Sequence, residues 1–212
     1  MGQSQSFAFP AFNKPIRSVT ELLSPKWTLK DSATGDLNRD QRQDMALVLE
    51  YADTVTETRP DSMLNTGRPR ILVILLRDSN DQTYHIAVQN NAFILRNGEG
   101  GMDPEPYGGI SIKSDVLEID YQFVRSSLSY KFRFKAPNFY LIGASDAGVS
   151  GESAESWDFN FLTGRARHTW NNMAKQKGSE HVEWKQIKDR TPIRLKNMKK
   201  PYMLQIFPDV YI

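Results

Sequence analysis

The sequence predicts a mainly β protein. Three observations carry that expectation. Apolar and polar residues alternate with period two over many short segments, as half-buried strands require. Turn-forming residues separate those segments at intervals of about 8–12 residues. Helical period is almost absent, which disfavours a parallel α/β architecture with crossover helices. A sandwich, a barrel and a propeller all satisfy these three facts.

Taken in order, residues 1–18 read as an extended arm whose Phe7, Phe9 and Phe12 must dock on the body to be ordered. Residues 19–212 read as one β-rich domain. Ser18 to Leu23 is expected to form a helical turn capped by Ser18 or Thr20. The main strand candidates are Ala46–Tyr51, Arg70–Arg77, Tyr84–Gln89, Ile110–Lys113, Val116–Phe123, Tyr130–Lys135, Phe139–Ala144 and Trp157–Leu162. Weaker signals cover Arg167–Asn171, Glu183–Lys188 and Met203–Phe207. Turns are expected at Asp78–Asp81, Asn97–Gly101, Lys113–Asp115 and Asp146–Gly148.

One hairpin can be read residue by residue. Leu117, Ile119, Tyr121 and Phe123 alternate with Glu118, Asp120 and Gln122. Tyr130, Phe132 and Phe134 alternate with Lys131, Arg133 and Lys135. An antiparallel return sets the acidic outer face of one strand against the basic outer face of the other, which fixes register.

Composition narrows the function classes. The chain has 212 residues, enough for a core without disulfide staples. It has no cysteine, which removes thiol catalysis, iron–sulfur clusters and Cys-ligated zinc. The longest apolar run, Ile71–Leu76, has strand length, so no transmembrane segment is expected. Net charge is +2, yet residues 165–200 carry eleven Lys/Arg against three Asp/Glu. That stretch, with Trp170 and Trp184 inside it, reads as a solvated basic surface. No recognition helix or RNP-like strand supports a nucleic-acid partner.

Enzyme motifs are missing. There is no GxSxG elbow, P-loop, GxGxxG or HExxH. His85, His168 and His181 form no close sequence pair. The carboxylate pairs Asp103/Glu105 and Glu152/Glu155 lie in Gly/Pro/Ser-rich stretches. A non-enzyme is therefore favoured.

The sharpest local signal is Gly35-Asp36-Leu37-Asn38-Arg39-Asp40-Gln41-Arg42-Gln43-Asp44, followed directly by a strand. Asp36, Asn38, Asp40 and Asp44 fall at loop positions 1, 3, 5 and 9, and the Arg42 carbonyl at position 7. This is the oxygen spacing of a calcium loop. Gln41 stands where such loops place Gly to allow positive φ. An Asx-rich turn without an ion uses the same residues.

That loop, with Lys26-Trp27 before it and Met45-Ala46-Leu47-Val48-Leu49 after it, resembles the "GDLNGDGxxDLALVL" signature of FG-GAP/VCBS-like repeats. Asn97-Gly98-Glu99-Gly100-Gly101-Met102-Asp103-Pro104, the Gly109–Ile112 strand and Asp158-Phe159-Asn160-Phe161-Leu162-Thr163-Gly164-Arg165 resemble, in order, segments of bacterial periplasmic proteins of this type. These include immunity proteins that inhibit lysozyme-like effectors of type IV secretion. The resemblance implies a degenerate β-propeller-like or related antiparallel β fold with a calcium-type loop. It implies a periplasmic or envelope location, with a signal peptide absent from this sequence and a lipid anchor compatible with a precursor. Met1-Gly2-Gln3-Ser4-Gln5-Ser6 also fits an N-myristoylation pattern, to which the exported character of the later motifs runs counter.

The implied function is inhibition of a lysozyme-like peptidoglycan hydrolase. The implied calcium ligands are Asp36, Asn38, Asp40, Arg42 through its carbonyl, and Asp44. Two loops are candidates for partner binding. One is Asn97–Tyr107, with Asp103, Glu105 and Tyr107. The other is Ser145–Ser156, with Asp146, Ser150, Gly151, Glu152 and Glu155. Asp146, Glu152, Glu155 and Asp158 suit a basic enzyme cleft. The alternative is a calcium-stabilised envelope module that binds glycan or protein, with Tyr107 and Trp157 exposed for stacking on sugars.

Overall fold

The fold is taken from a computed structural model, which describes residues 7–58, 64–79, 82–174 and 180–212. Strand makes up 55% of the chain and helix 4%, so sheets must cover one another. A four-stranded antiparallel sheet has the order β1 (Trp27–Gly35), β2 (Asp44–Tyr51), β5 (Arg70–Arg77), β6 (Tyr84–Asn90). A short hairpin, β3 (Val55–Thr58) with β4 (Leu64–Gly67), lies between β2 and β5 in the chain.

The second sheet is a seven-stranded antiparallel meander. It runs β7 (Tyr107–Lys113), β8 (Val116–Gln122), β9 (Ser126–Lys135), β10 (Asn138–Ser150), β11 (Ser153–Asn160), β12 (Arg165–Asn172), β13 (His181–Gln186). A last hairpin joins β14 (Gln205–Phe207) to β15 (Val210–Tyr211). The expected antiparallel β architecture is therefore present. Among the described residues no sheet closes into a barrel or propeller.

The two large sheets pack face to face. Ala46, Val48, Leu72, Ile74 and Val88 meet Leu117, Ile119, Tyr130, Phe132 and Phe159 in one core. Phe93 fills its centre, 4.9 Å from the Tyr130 ring and 5.7 Å from Phe132 in edge-on contacts. The opposite face of the small sheet, Leu47, Leu49, Ile71, Val73 and Leu75, forms a second core. Phe7, Phe9 and Phe12 of the N-terminal arm cover it, with Leu22 and Trp27. The arm is thus a third layer, and its docking explains why β2 and β5 are apolar on both faces instead of alternating. Residues 1–6, which hold the myristoylation pattern, lie outside the described residues.

Several expected elements are present with shifted ends. Val19–Leu22 is a short 3-10 turn with Ser18 as N-cap and Glu21 closing the capping box. In the hairpin of β8 and β9, Glu118 faces Lys131 with an ion pair of 3.4 Å, and Asp115 binds Arg133 at 3.0 Å. The strand β1 gave no sequence signal. Its residues are mostly polar because it is an edge strand with a bulge between Leu29 and Asp31. The Ser145–Ser156 stretch, expected as a loop, is strand nearly throughout.

At one side the sheets are fastened together. β1 runs beside β7. The Asp31 carboxylate accepts the Tyr107 hydroxyl at 2.9 Å and the Ile110 N–H at 3.3 Å. Beneath them lies Arg70, whose side chain is fully buried. Its guanidinium donates to Glu50 Oε2 from Nε at 2.8 Å, to both Glu105 oxygens at 2.6 and 2.7 Å, and to the Leu95 carbonyl at 2.5 Å. Lys30 adds a contact to Glu105 at 3.1 Å. A planar donor fork that meets two carboxylates is a geometry Arg provides and Lys does not.

Removing Arg70 leaves two carboxylates short of their buried partner. Arg70→Ala is expected to destabilise the fold by about 3–5 kcal/mol, read from urea unfolding at neutral pH. Acid should act on the same contacts. Burial pushes the Glu105 carboxyl up, but Arg70 and Lys30 outweigh it and hold it below the usual range. Burial likewise opposes, and Lys200 and the Arg96 N–H prevail at Glu99. A depressed carboxyl contributes stability above its unfolded value of 4.5 and loses it as pH falls through the folded value. The urea midpoint should therefore drop on acidification below pH 4.5, and Glu105→Gln should remove part of that dependence.

Candidate functional site

The candidate calcium loop is a closed set of Asx turns. Asp36 accepts the N–H groups of Asp40 at 3.1 Å and Gln41 at 2.8 Å. Asn38 Oδ1 also accepts the Asp40 N–H, and Asp40 accepts the Arg42 N–H at 2.9 Å. Gln41 adopts φ 67°, so the backbone takes the left-handed turn although no glycine is present. Asp36, Asn38 and Asp40 thus fit a hard cation in chemistry, as oxygen donors on one tight turn.

Asp44 is placed differently. It is fully buried, and its two oxygens accept the Leu37 N–H at 2.8 Å and the Arg77 N–H at 2.9 Å. It ties the loop to the end of β5. Burial pushes its carboxyl up against the pull of these two N–H donors. Among the described residues no three His, Cys, Asp or Glu side chains converge as a ready-made metal cluster.

The two candidate binding loops separate sharply. Glu105 is bound to Arg70 and Lys30, and Tyr107 is buried with its hydroxyl on Asp31. Burial first, then the adjacent Asp31, pushes the Tyr107 hydroxyl far up. Asp103 accepts the Glu105 N–H at 2.9 Å and shapes the turn into β7. The Gly-Gly segment beside them is structural as well. Its Glu99 is buried and joins Asn65, the Arg96 N–H and Lys200. Tyr107 and the Glu99 side chain are buried fasteners, while Glu105 combines its ion pairs with partial exposure and Met102 beside it is open to solvent.

The second loop is a surface. Ser150 pairs with Ser153, which leaves Gly151 and Glu152 as a two-residue turn. Gly151 has φ 58° at the first central position, as in a type II′ turn. The turn is braced on both flanks. The Val149 N–H bonds the Arg125 carbonyl at 2.9 Å, and the Met173 N–H bonds the Glu152 carbonyl at 2.6 Å. Ser150, Gly151, Glu152 and Ser153 are all exposed.

Period two sends Asp146, Gly148 and Ser150 of β10, with Ser153, Glu155 and Trp157 of β11, to one face. The C-terminal hairpin stands opposite. Between them is an open groove of about 620 Å³, lined among others by Asp146, Glu155, Tyr202, Asp209 and Tyr211. Asp146 accepts the Tyr202 hydroxyl at 3.2 Å. Burial pushes its carboxyl above the usual range, and the Tyr202 hydrogen bond opposes this. Glu155 is oriented by the Trp157 Nε1–H at 3.1 Å and by His168 Nε2 at 2.7 Å. Among the described lining residues three carboxylates, Asp146, Glu155 and Asp209, stand against one cation, Arg125.

Behind the groove runs a stack of rings that sequence reading did not assemble. Trp157 lies 4.0 Å from His168, His168 4.6 Å from Trp170, and Trp170 5.3 Å from His181, all nearly parallel. Trp157 is buried beneath this stack and Phe207, so neither Tyr107 nor Trp157 is exposed for a sugar. Trp170 and His181 are the open end. The alternation of His168 with Trp170 and of His181 with Glu183 carried the signal, but the cross-strand register that joins them did not.

A charge test follows from the groove. Asp146→Asn with Glu155→Gln, which keep the hydrogen-bond acceptors for Tyr202, Trp157 and His168, should retain the fold by circular dichroism and weaken the binding to a cationic protein column that is expected of the parent chain at low salt. Unchanged retention would place the acidic contact elsewhere. The chain was also compared with protein-family models, curated proteins and solved structures, and none of them matches it.

Proposed function

We propose that the protein is a non-catalytic binding protein of the bacterial periplasm that blocks a lysozyme-like peptidoglycan hydrolase. The observation that carries this reading is the joining of Asp146, Glu155 and Asp209 in one open groove beside a turn braced on both flanks. A pre-ordered β hairpin loses little conformational entropy on docking. An acidic face steers a basic enzyme and selects against acidic proteins. The sequence resemblance to FG-GAP/VCBS-like immunity proteins, whose fold is described as degenerate propeller-like, supplies the class of partner. Gly151 and Glu152 would enter the cleft first, with Ser150 and Ser153 beside them.

Calcium enters as part of the same proposal. Asp36, Asn38, Asp40 and the Arg42 carbonyl would hold it, while Asp44 keeps the loop on β5. The ion would supply charge neutralisation to a loop that carries the Asp36 and Asp40 carboxylates, which now accept backbone N–H groups. EDTA should then lower the melting temperature, excess calcium should restore it, and Asp40→Ala should abolish the response. A melt indifferent to both additives overturns the metal and leaves the binding reading standing.

One observation favours a second reading, an envelope module for glycan. Trp170 and His181 present stacked ring edges to solvent, and rings of this kind bind sugar faces. The experiment that separates the two is a cell-wall lysis assay. Purified protein is titrated against lysozyme-like hydrolases, with sedimentation on hydrolase-free peptidoglycan in parallel. Inhibition that saturates near equimolar protein, and is lost in Glu152→Lys with Glu155→Lys, supports the inhibitor. Sedimentation with peptidoglycan and no inhibition supports the glycan module.

A further inference from the structure

Strand β13 ends the seven-stranded sheet, and its residues are nearly all exposed. Val182 and Trp184 are 47% and 57% exposed, unusual for large side chains on a strand. Among the described residues no strand pairs with its outer side, and an edge of this kind offers its backbone groups to another strand. Which groups face out follows from the pairing with β12. The Ile187 N–H donates to the Gly164 carbonyl at 2.9 Å, so residues of that parity point toward β12. Antiparallel alternation then turns the N–H and C=O of Val182, Trp184 and Gln186 to the free edge.

We infer that β13 pairs antiparallel with β13 of a second copy of this chain, about a two-fold axis at Trp184. The strand is self-complementary about that axis. With Trp184 opposite its own mate, Val182 faces Gln186, and all of these are residues whose backbone groups point outward. The intervening pair is Glu183 of one copy opposite Lys185 of the other, repeated by symmetry. Such a pair occupies the closely spaced, non-hydrogen-bonded position where side chains approach best. Just beyond the strand the same register sets Glu180 opposite Lys188.

The neighbouring registers are worse. A shift that places Glu183 opposite itself sets like charges together and puts His181 against Lys185. A shift the other way sets Lys185 opposite itself. Shifts to the intermediate registers pair no opposite charges and turn the wrong backbone groups to the edge. The charges that usually protect an edge strand from promiscuous pairing here admit one partner in one register. On the outer face the two Trp184 rings meet across the axis, each already backed by the Arg165 guanidinium at 4.7 Å.

The test is sedimentation velocity over a concentration series at low salt, on the whole protein, with circular dichroism as the check on folding. The parent chain should show a concentration-dependent dimer. Glu183→Lys and Lys185→Glu should each weaken it by at least about tenfold, since each sets like charges opposite one another twice. An equimolar mixture of the two variants should dimerise again, because every facing pair is then of opposite sign. A parent chain that stays monomeric throughout, a dimer indifferent to both reversals, or a mixture that fails to recover would overturn the assignment.

Discussion

The buried guanidinium of Arg70 is the contact on which the rest of the molecule depends. It opens β5, the most buried strand, and reaches across to Glu50 on β2, to the Leu95 carbonyl, and to Glu105 at the entrance to β7. One side chain therefore belongs to both sheets. Burying a charge is costly unless every donor is met. Here the two carboxylates and the carbonyl meet that demand, and Tyr107 covers the guanidinium at 5.8 Å from its ring centre. The joint sets where β7 begins, and β7 begins a meander in which each strand's place follows from the last. The groove at β10 and β11 inherits its position from this end of the sheet.

Much of the fold is legible in the sequence because its signals are local. The apolar run Ile71–Leu76 marked β5 with its true ends at Arg70 and Arg77, and alternation marked β8 and β9 with their charged outer faces. What alternation cannot give is which strands neighbour each other. Propeller and sandwich share the same segments and differ only in long-range pairing. β1 was silent because an edge strand with one solvated face has no need of apolar alternation, and Trp27 is the single member of it that is buried.

The site was legible in part, for a related reason. Tyr107 reads as exposed for stacking but is buried, while Glu105 keeps partial exposure beside its ion pairs. Their partners Arg70 and Asp31 lie more than thirty residues away in sequence and turn both into fasteners. Asp146, Ser150, Gly151, Glu152 and Glu155 fall together because a hairpin preserves sequence neighbourhood. Tyr202, Asp209 and Tyr211 join them only through the return of the C-terminus. The ring stack of Trp157, His168, Trp170 and His181 needed the register of three strands, which no single segment records.

The physical picture is a division of labour within one sheet. Near β7 its ionisable side chains are sequestered in pairs that hold the two sheets together. Near β10 to β12, Glu152, Glu155 and Asp158 face solvent from a hairpin whose strands pair along their length. The proposed docking surface is this acidic hairpin face. Hydrogen–deuterium exchange of the protein, alone and mixed with a basic lysozyme-like hydrolase, is the direct test of this proposal. The account predicts added protection at the turn around Gly151 and in the C-terminal hairpin, with β2 and β5 unchanged. Protection at the Asp36–Asp44 loop or the N-terminal arm, with none around Gly151, would contradict it.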